Sequence, residues 1–193
     1  MANPQKNKGA RYERAAVDYF VEHHPHLVDV KNPARLLGEG RKEDGGDLNL
    51  LSDTTVQVKA WSDLGAAIRS AATTVVEQAD YADKPYAIGM VPIPRSRKGS
   101  VEWVMCCLPD TLPVKIGQPV VSWARVTDMI SWLRDDIGPK GFQAYDRNRR
   151  IGILSHASSD DIWCFPPEVF AQALTQARGT ASNHRDTSVL EVV

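Results

Sequence analysis

Gly45-Gly46-Asp47-Leu48-Asn49-Leu50-Leu51-Ser52-Asp53-Thr54-Thr55-Val56-Gln57-Val58-Lys59 reads as two short strands joined by a turn, and this reading decides the fold. Strand side chains alternate between faces, so Gln57 and Lys59 share one side while Val56 and Val58 share the other. Asp47 opens the preceding apolar run. If the two runs pair through a turn at Ser52-Asp53-Thr54, Asp47 returns beside Gln57 and Lys59. A carboxylate, an amide and an ammonium then converge.

Upstream, Tyr12, Ala15, Ala16, Tyr19 and Phe20 recur at helical spacing, which predicts a helix over 9–22 that stops near His23-His24-Pro25. Glu13 falls beside the apolar stripe, where a carboxylate can lean over the end of a sheet. Strands are expected at 28–30, 47–51 and 55–60. Ile68, Ala71, Ala72, Val75 and Ala79 mark one face of a crossover helix over 63–82, and Glu77 and Gln78 lie late in it, where surface solvation is one explanation for them. Strands at 85–91 and 101–108 follow, separated by a basic turn over 95–100. A crossover helix implies a right-handed connection and a mixed sheet flanked by helices.

Residues 1–114 form the expected core. A small α+β C-terminal extension takes 115–178: a helix over 126–135 burying Met129, Ile130, Trp132 and Leu133, a hairpin over 150–165, and a helix over 169–177 opened by Pro166-Pro167-Glu168. Ile162-Trp163-Cys164-Phe165-Pro166 faintly echoes Trp103-Val104-Met105-Cys106-Cys107-Leu108-Pro109. Residues 179–193 read as a flexible tail whose end, Val189-Leu190-Glu191-Val192-Val193, could add a strand to itself or to a partner.

With 193 residues, 42% of them hydrophobic, the chain can bury one sizeable core. No apolar run approaches bilayer length and the first residues lack a signal-peptide segment, so no membrane association and a cytoplasmic location are expected. Cys106, Cys107 and Cys164 form no even framework and read as reduced, buried thiols. A net charge of -1 gives no global attraction to nucleic acid, and the positive charge is local. Lys6, Lys8, Arg11 and Arg14 lie at the start, Arg35, Arg41 and Lys42 flank the proposed site, and Arg95, Arg97 and Lys98 crowd one turn. Such clusters suit phosphates, although each alone is equally an ordinary solvated surface. Gly38 and Gly40 would let a backbone approach such a phosphate closely. His23, His24 and His26 lack a second ligand set at zinc spacing and are expected in solvent; the five tryptophans are expected in the core or an interface.

Lys8-Gly9 with Glu13-Arg14, Arg35 with Gly38-Glu39-Gly40-Arg41, then Gly46-Asp47 and Gln57-Val58-Lys59 together resemble the PD-(D/E)xK nuclease superfamily. Within it they are similar to the Holliday junction resolvase-like proteins of archaea and of actinobacterial phages. Two positions depart from the pattern: Gly46 stands where the family has proline, and Gln57 where it usually has Asp or Glu. Mrr-like restriction enzymes also carry glutamine there, and Asp44-Gly45-Gly46-Asp47 looks like their loop. The loop after Arg35 also lacks a serine that archaeal resolvases carry.

The resemblance implies a restriction-endonuclease-like α/β core and a Mg²⁺-dependent endodeoxyribonuclease cutting branched DNA as a homodimer, with Mn²⁺ a possible substitute. It implies metal contacts from Asp47, Glu13, Gln57 and the Val58 backbone carbonyl, an electrostatic role for Lys59, and for Gln78 the place where related nucleases often carry a polar residue near the metal. DNA would meet Lys8, Arg11, Arg14, Arg35, Arg41, Lys42, Arg95, Arg97 and Lys98. Two other readings stay open: a restriction- or repair-type nuclease on linear duplex, and a DNA-binding module on the same fold without catalysis.

Overall fold

Proline is tolerated in the first turn of a helix, where its missing N–H has no partner to lose, and α1 (Pro4–His23) begins on one. The structure, a computed structural model, describes residues 4–36, 46–93, 101–112, 121–134, 150–156 and 159–187. Ala16 and Phe20 are fully buried, with Tyr12, Ala15, Val17 and Tyr19 packed alongside, so the predicted stripe is the face that meets the sheet.

β1 (Ala34–Arg35), β2 (Leu48–Asn49) and β3 (Thr54–Val58) form an antiparallel meander in which Arg35 lies opposite Leu48 and Leu48 opposite Val56. The first strand is therefore not at 28–30. That segment meets the sheet through a 3.4 Å bond from the Asp29 N–H to the Leu50 carbonyl. The Asp29 carboxylate instead accepts from the Ser52 N–H at 2.7 Å and hydroxyl at 2.6 Å. Pro25 and Pro33 bracket the segment, and a side chain bonding nearby backbone competes with a ladder.

α2 (Leu64–Tyr81) starts at Asp63, whose carboxylate caps the Ala66 N–H at 2.9 Å. In its β-branched run Thr73-Thr74-Val75-Val76, the Thr73 and Thr74 hydroxyls are satisfied by donating back to the carbonyls of Arg69 and Ser70, and Val75 is fully buried. The chain then returns as β4 (Tyr86–Ile93), parallel to β3, and reverses into the antiparallel β5 (Glu102–Cys107). A Cβ on Gly89 would lie 2.7 Å from both the Ala71 Cβ and the Cys106 Sγ, so only glycine lets α2 rest directly on β4.

The remaining elements are β6 (Val121–Trp123), α3 (Val126–Arg134), β7 (Gly152–His156), β8 (Ser159–Phe165) and α4 (Pro167–Thr187). They continue the same sheet. The strand order is β1-β2-β3-β4-β5-β8-β7-β6, one mixed eight-stranded sheet with four helices packed against it. The two echoing segments are neighbours, with Cys106 opposite Cys164 across β5 and β8. α4 extends past residue 179, where composition suggests a tail, and the three-residue β6 is too short to stand out in sequence.

Both faces of the sheet are covered. Phe20, Leu48, Val56, Val58, Met90, Phe165, Phe170 and Leu174 form the layer under α1 and α4. Ile68, Ala71, Val91, Val104, Cys106, Met129 and Leu133 form the layer under α2 and α3. All three cysteines are free and buried, and burial pushes their thiols up, which keeps them protonated and inert. His24 corrects an expectation: it is 7% exposed, set against the Tyr19 and Phe20 rings, and burial lowers its pKa. His23 and His26 are exposed. Among the described residues no helix is long and apolar enough to cross a membrane.

Candidate functional site

The backbone of Asp47 is gripped from both sides. Its N–H donates to the Val56 carbonyl at 3.0 Å, and its carbonyl accepts from the Leu36 N–H at 2.7 Å. Gly46, just before it, has φ +97°, and a Cβ there would lie 2.6 Å from the Thr55 Cγ2. Proline, locked near φ -65°, cannot adopt that conformation, so glycine at this position is a backbone requirement.

Held in this way, the Asp47 carboxylate reaches across to β3. Its Oδ2 accepts from the Val58 N–H at 2.7 Å and from the Gln57 Nε2. The N–H and C=O of one strand residue point toward the same neighbouring strand, so the Val58 carbonyl also faces the side from which Asp47 approaches. Lys59 continues the β3 backbone by one residue, its N–H bonding the Met90 carbonyl at 3.2 Å. Strand alternation places it on the face of Gln57.

Gln57 is 2% exposed and lies opposite Gly89, beneath α2. Its Oε1 is buried without a hydrogen-bond partner. An unsatisfied buried acceptor costs roughly 1–3 kcal/mol, so such an atom calls for an explanation. A hard divalent cation fits the donor chemistry: the Asp47 carboxylate, the Val58 carbonyl and the Gln57 amide oxygen are all oxygen ligands.

Glu13 comes to this end of the sheet from the other face. Its Oε2 lies 2.7 Å from the Arg35 Nε, and Arg35 directly precedes Leu36, which bonds Asp47. Arg35, expected to meet a phosphate, is therefore paired with Glu13. Lys8, Arg11 and Arg14 follow one another at three-residue intervals along α1, and the Arg11 guanidinium sits 4.9 Å from the centre of the Tyr12 ring. Gly38, Gly40, Arg41, Lys42, Arg95, Arg97, Lys98 and the strand expected at 189–193 lie outside the described residues. Among the described residues, Leu36, Gly46, Ile93 and Val101 are at the sheet end that carries Asp47.

Gln78 is buried, so solvation does not explain it. It lies two turns beyond Ala71 on α2, near the Val75, Ala79 and Ala87 cluster and away from Asp47. Among the described residues no three His, Cys, Asp or Glu side chains are grouped to hold a metal ion. Two features had no signal in sequence. A cavity of about 400 Å³ is lined by Tyr19, His24, Trp103, Glu168 and the Glu102–Arg134 ion pair, closed at 2.9 Å. At the opposite end of β3, Arg178 of α4 is the hub of an ionic cluster: its guanidinium grips the Asp53 carboxylate with two 2.8 Å bonds, and it also reaches Asp29 and the Leu27 carbonyl.

Compared with protein-family models, with curated proteins and with solved structures, the chain gives no match to any of the three.

Proposed function

We propose that the protein is a metal-dependent endodeoxyribonuclease of the PD-(D/E)xK type, with a restriction-endonuclease-like core, that cuts branched DNA as a Holliday junction resolvase does. The observation that carries this reading is the contact of Asp47 with Gln57 and with the Val58 N–H. It joins the two strand ends that the sequence pattern pairs. The order α1, antiparallel meander, α2, then β4 parallel to β3 supports the same core.

Asp47, the Val58 carbonyl and the Gln57 Oε1 would hold the cation, Mg²⁺ or its substitute Mn²⁺, with Glu13 supplying a further or water-mediated contact. A bound divalent cation activates water, neutralises phosphoryl oxygens and stabilises the leaving oxygen. The Lys59 ammonium favours deprotonation of the attacking water and offsets charge building on phosphorus; one such group contributes a few kcal/mol of barrier lowering. Lys8, Arg11 and Arg14 hold the DNA backbone, which a net charge of -1 does not attract from a distance. A homodimer would supply the paired incisions that a junction needs.

Purified protein given a four-way junction and a linear duplex of matched sequence in Mg²⁺ tests this. Wild type is expected to nick the junction in preference, and Lys59→Ala to bind it as well but nick it about a hundredfold more slowly. Equal cutting of both DNAs favours a restriction- or repair-type enzyme, the reading motivated by Gln57. If neither is cut across several divalent metals, a binding module on this fold is the better account.

A further inference from the structure

Trp61 is 51% exposed and so does not belong to the core. Trp103 and Trp132 are buried, and Trp123 and Trp163 are half-buried. Single exposed apolar side chains are ordinary, so exposure alone decides nothing. Location does. The described residues have five large exposed apolar side chains, Val21, Leu36, Trp61, Tyr81 and Val101, and three of them share one end of the sheet. Leu36 donates its N–H to the Asp47 carbonyl, Trp61 follows Lys59 by two residues, and Val101 directly precedes β5 where it pairs with the end of β4.

The backbone around Trp61 is anchored on both sides. Lys59 is bonded to Met90, and Asp63 caps α2 through the Ala66 N–H while its carbonyl accepts from the Ala67 N–H. A tryptophan carried on so short a fixed link is held within about 7 Å of Lys59 along the chain. It costs little ordering on binding, and it presents a ring to solvent beside the group that would face the scissile phosphate.

We infer that Trp61 is a stacking platform for an unpaired base adjacent to the scissile phosphate, so that the site selects DNA with a branch point or single-stranded junction. This rests on the nuclease reading above. An intact duplex hides the faces of its bases and offers Trp61 only sugar and phosphate, whereas a flap or junction exposes them. Stacking of this kind tolerates any sequence. It also supplies affinity that does not depend on charge, which suits a chain with no net positive field.

The test is binding in the absence of divalent metal, measured by anisotropy with a blunt duplex and with the same duplex carrying a single-stranded flap. Wild type, Trp61→Ala and Trp61→Phe are compared. Trp61→Ala is expected to lose about tenfold in affinity for the flap DNA with blunt-duplex affinity unchanged, and Trp61→Phe, which keeps an aromatic face, to retain most of the preference. An equal loss on both DNAs, no loss on either, or a wild type without preference for the flap overturns the inference. Cutting does not enter this measurement, so failure here is separate from failure of the Lys59→Ala comparison in Mg²⁺.

Discussion

The two ends of β3 each meet an acidic side chain, Asp53 at its start and Asp47 at its far end, yet they are built differently. At its start, Asp53 and Asp29 are matched by Arg178, and the half-buried Lys84 ammonium donates to the carbonyls of Leu51 at 2.7 Å and Thr54 at 3.2 Å. Every charge there faces a counter-charge or a backbone dipole. At the far end, the Asp47 carboxylate accepts from the Gln57 amide and the Val58 N–H across to β3, and the Gln57 Oε1 is buried there without a hydrogen-bond partner. The first arrangement closes on itself and fastens α4 to the sheet. The second leaves the Gln57 Oε1 as an acceptor that the proposed cation would use.

The largest effect expected to sharpen this contrast is that of Asp47→Ala. Loss of the carboxylate should reduce cleavage about a thousandfold. It should also cost roughly 1–2 kcal/mol in urea unfolding, because the Val58 N–H loses its acceptor. A variant that cuts normally would remove Asp47 from the chemistry and leave it a strand-end clamp.

Arg178→Ala should do the reverse, lowering stability by about 2 kcal/mol in urea unfolding while cleavage per folded molecule stays at the wild-type rate. Burial pushes the Asp53 carboxyl up, but the Arg178 bonds outweigh it and hold the pKa below the ordinary 3.8. The sign follows from linkage: a depressed carboxylate stabilises the fold above 3.8 and loses that contribution as pH falls through its folded value. Arg178→Ala should therefore lose less stability than wild type between pH 5 and 2, seen in melts across that range. A variant as acid-sensitive as wild type would show that the Arg178 cluster is not the fastening described.

The smallest expected effect is that of Gln57→Glu, which puts a second carboxylate where the Gln57 amide now meets Asp47. Two carboxylates would then meet at Asp47 with no cation between them, costing about 1 kcal/mol in EDTA. Mg²⁺ should raise the melting temperature of this variant more than that of wild type, a readout independent of cutting. Equal shifts would argue that the cation does not bind at Gln57.

The sequence by itself determined the alternation that makes β3, the helical stripe of α1 and the turn that brings Asp47 back to Gln57, because each rests on local periodicity. It also marked Lys59 through its place two residues along the strand. Local pattern does not reach contacts that join distant segments. The pairing of Glu13 with Arg35, the placing of β8 beside β5, the burial of His24 and the grip of Arg178 on Asp53 all depend on packing across the sheet. The reason glycine stands at 46 and the exposure of Trp61 likewise emerged only in three dimensions, since a backbone angle and an uncovered ring are set by what lies around them and not by the neighbouring letters.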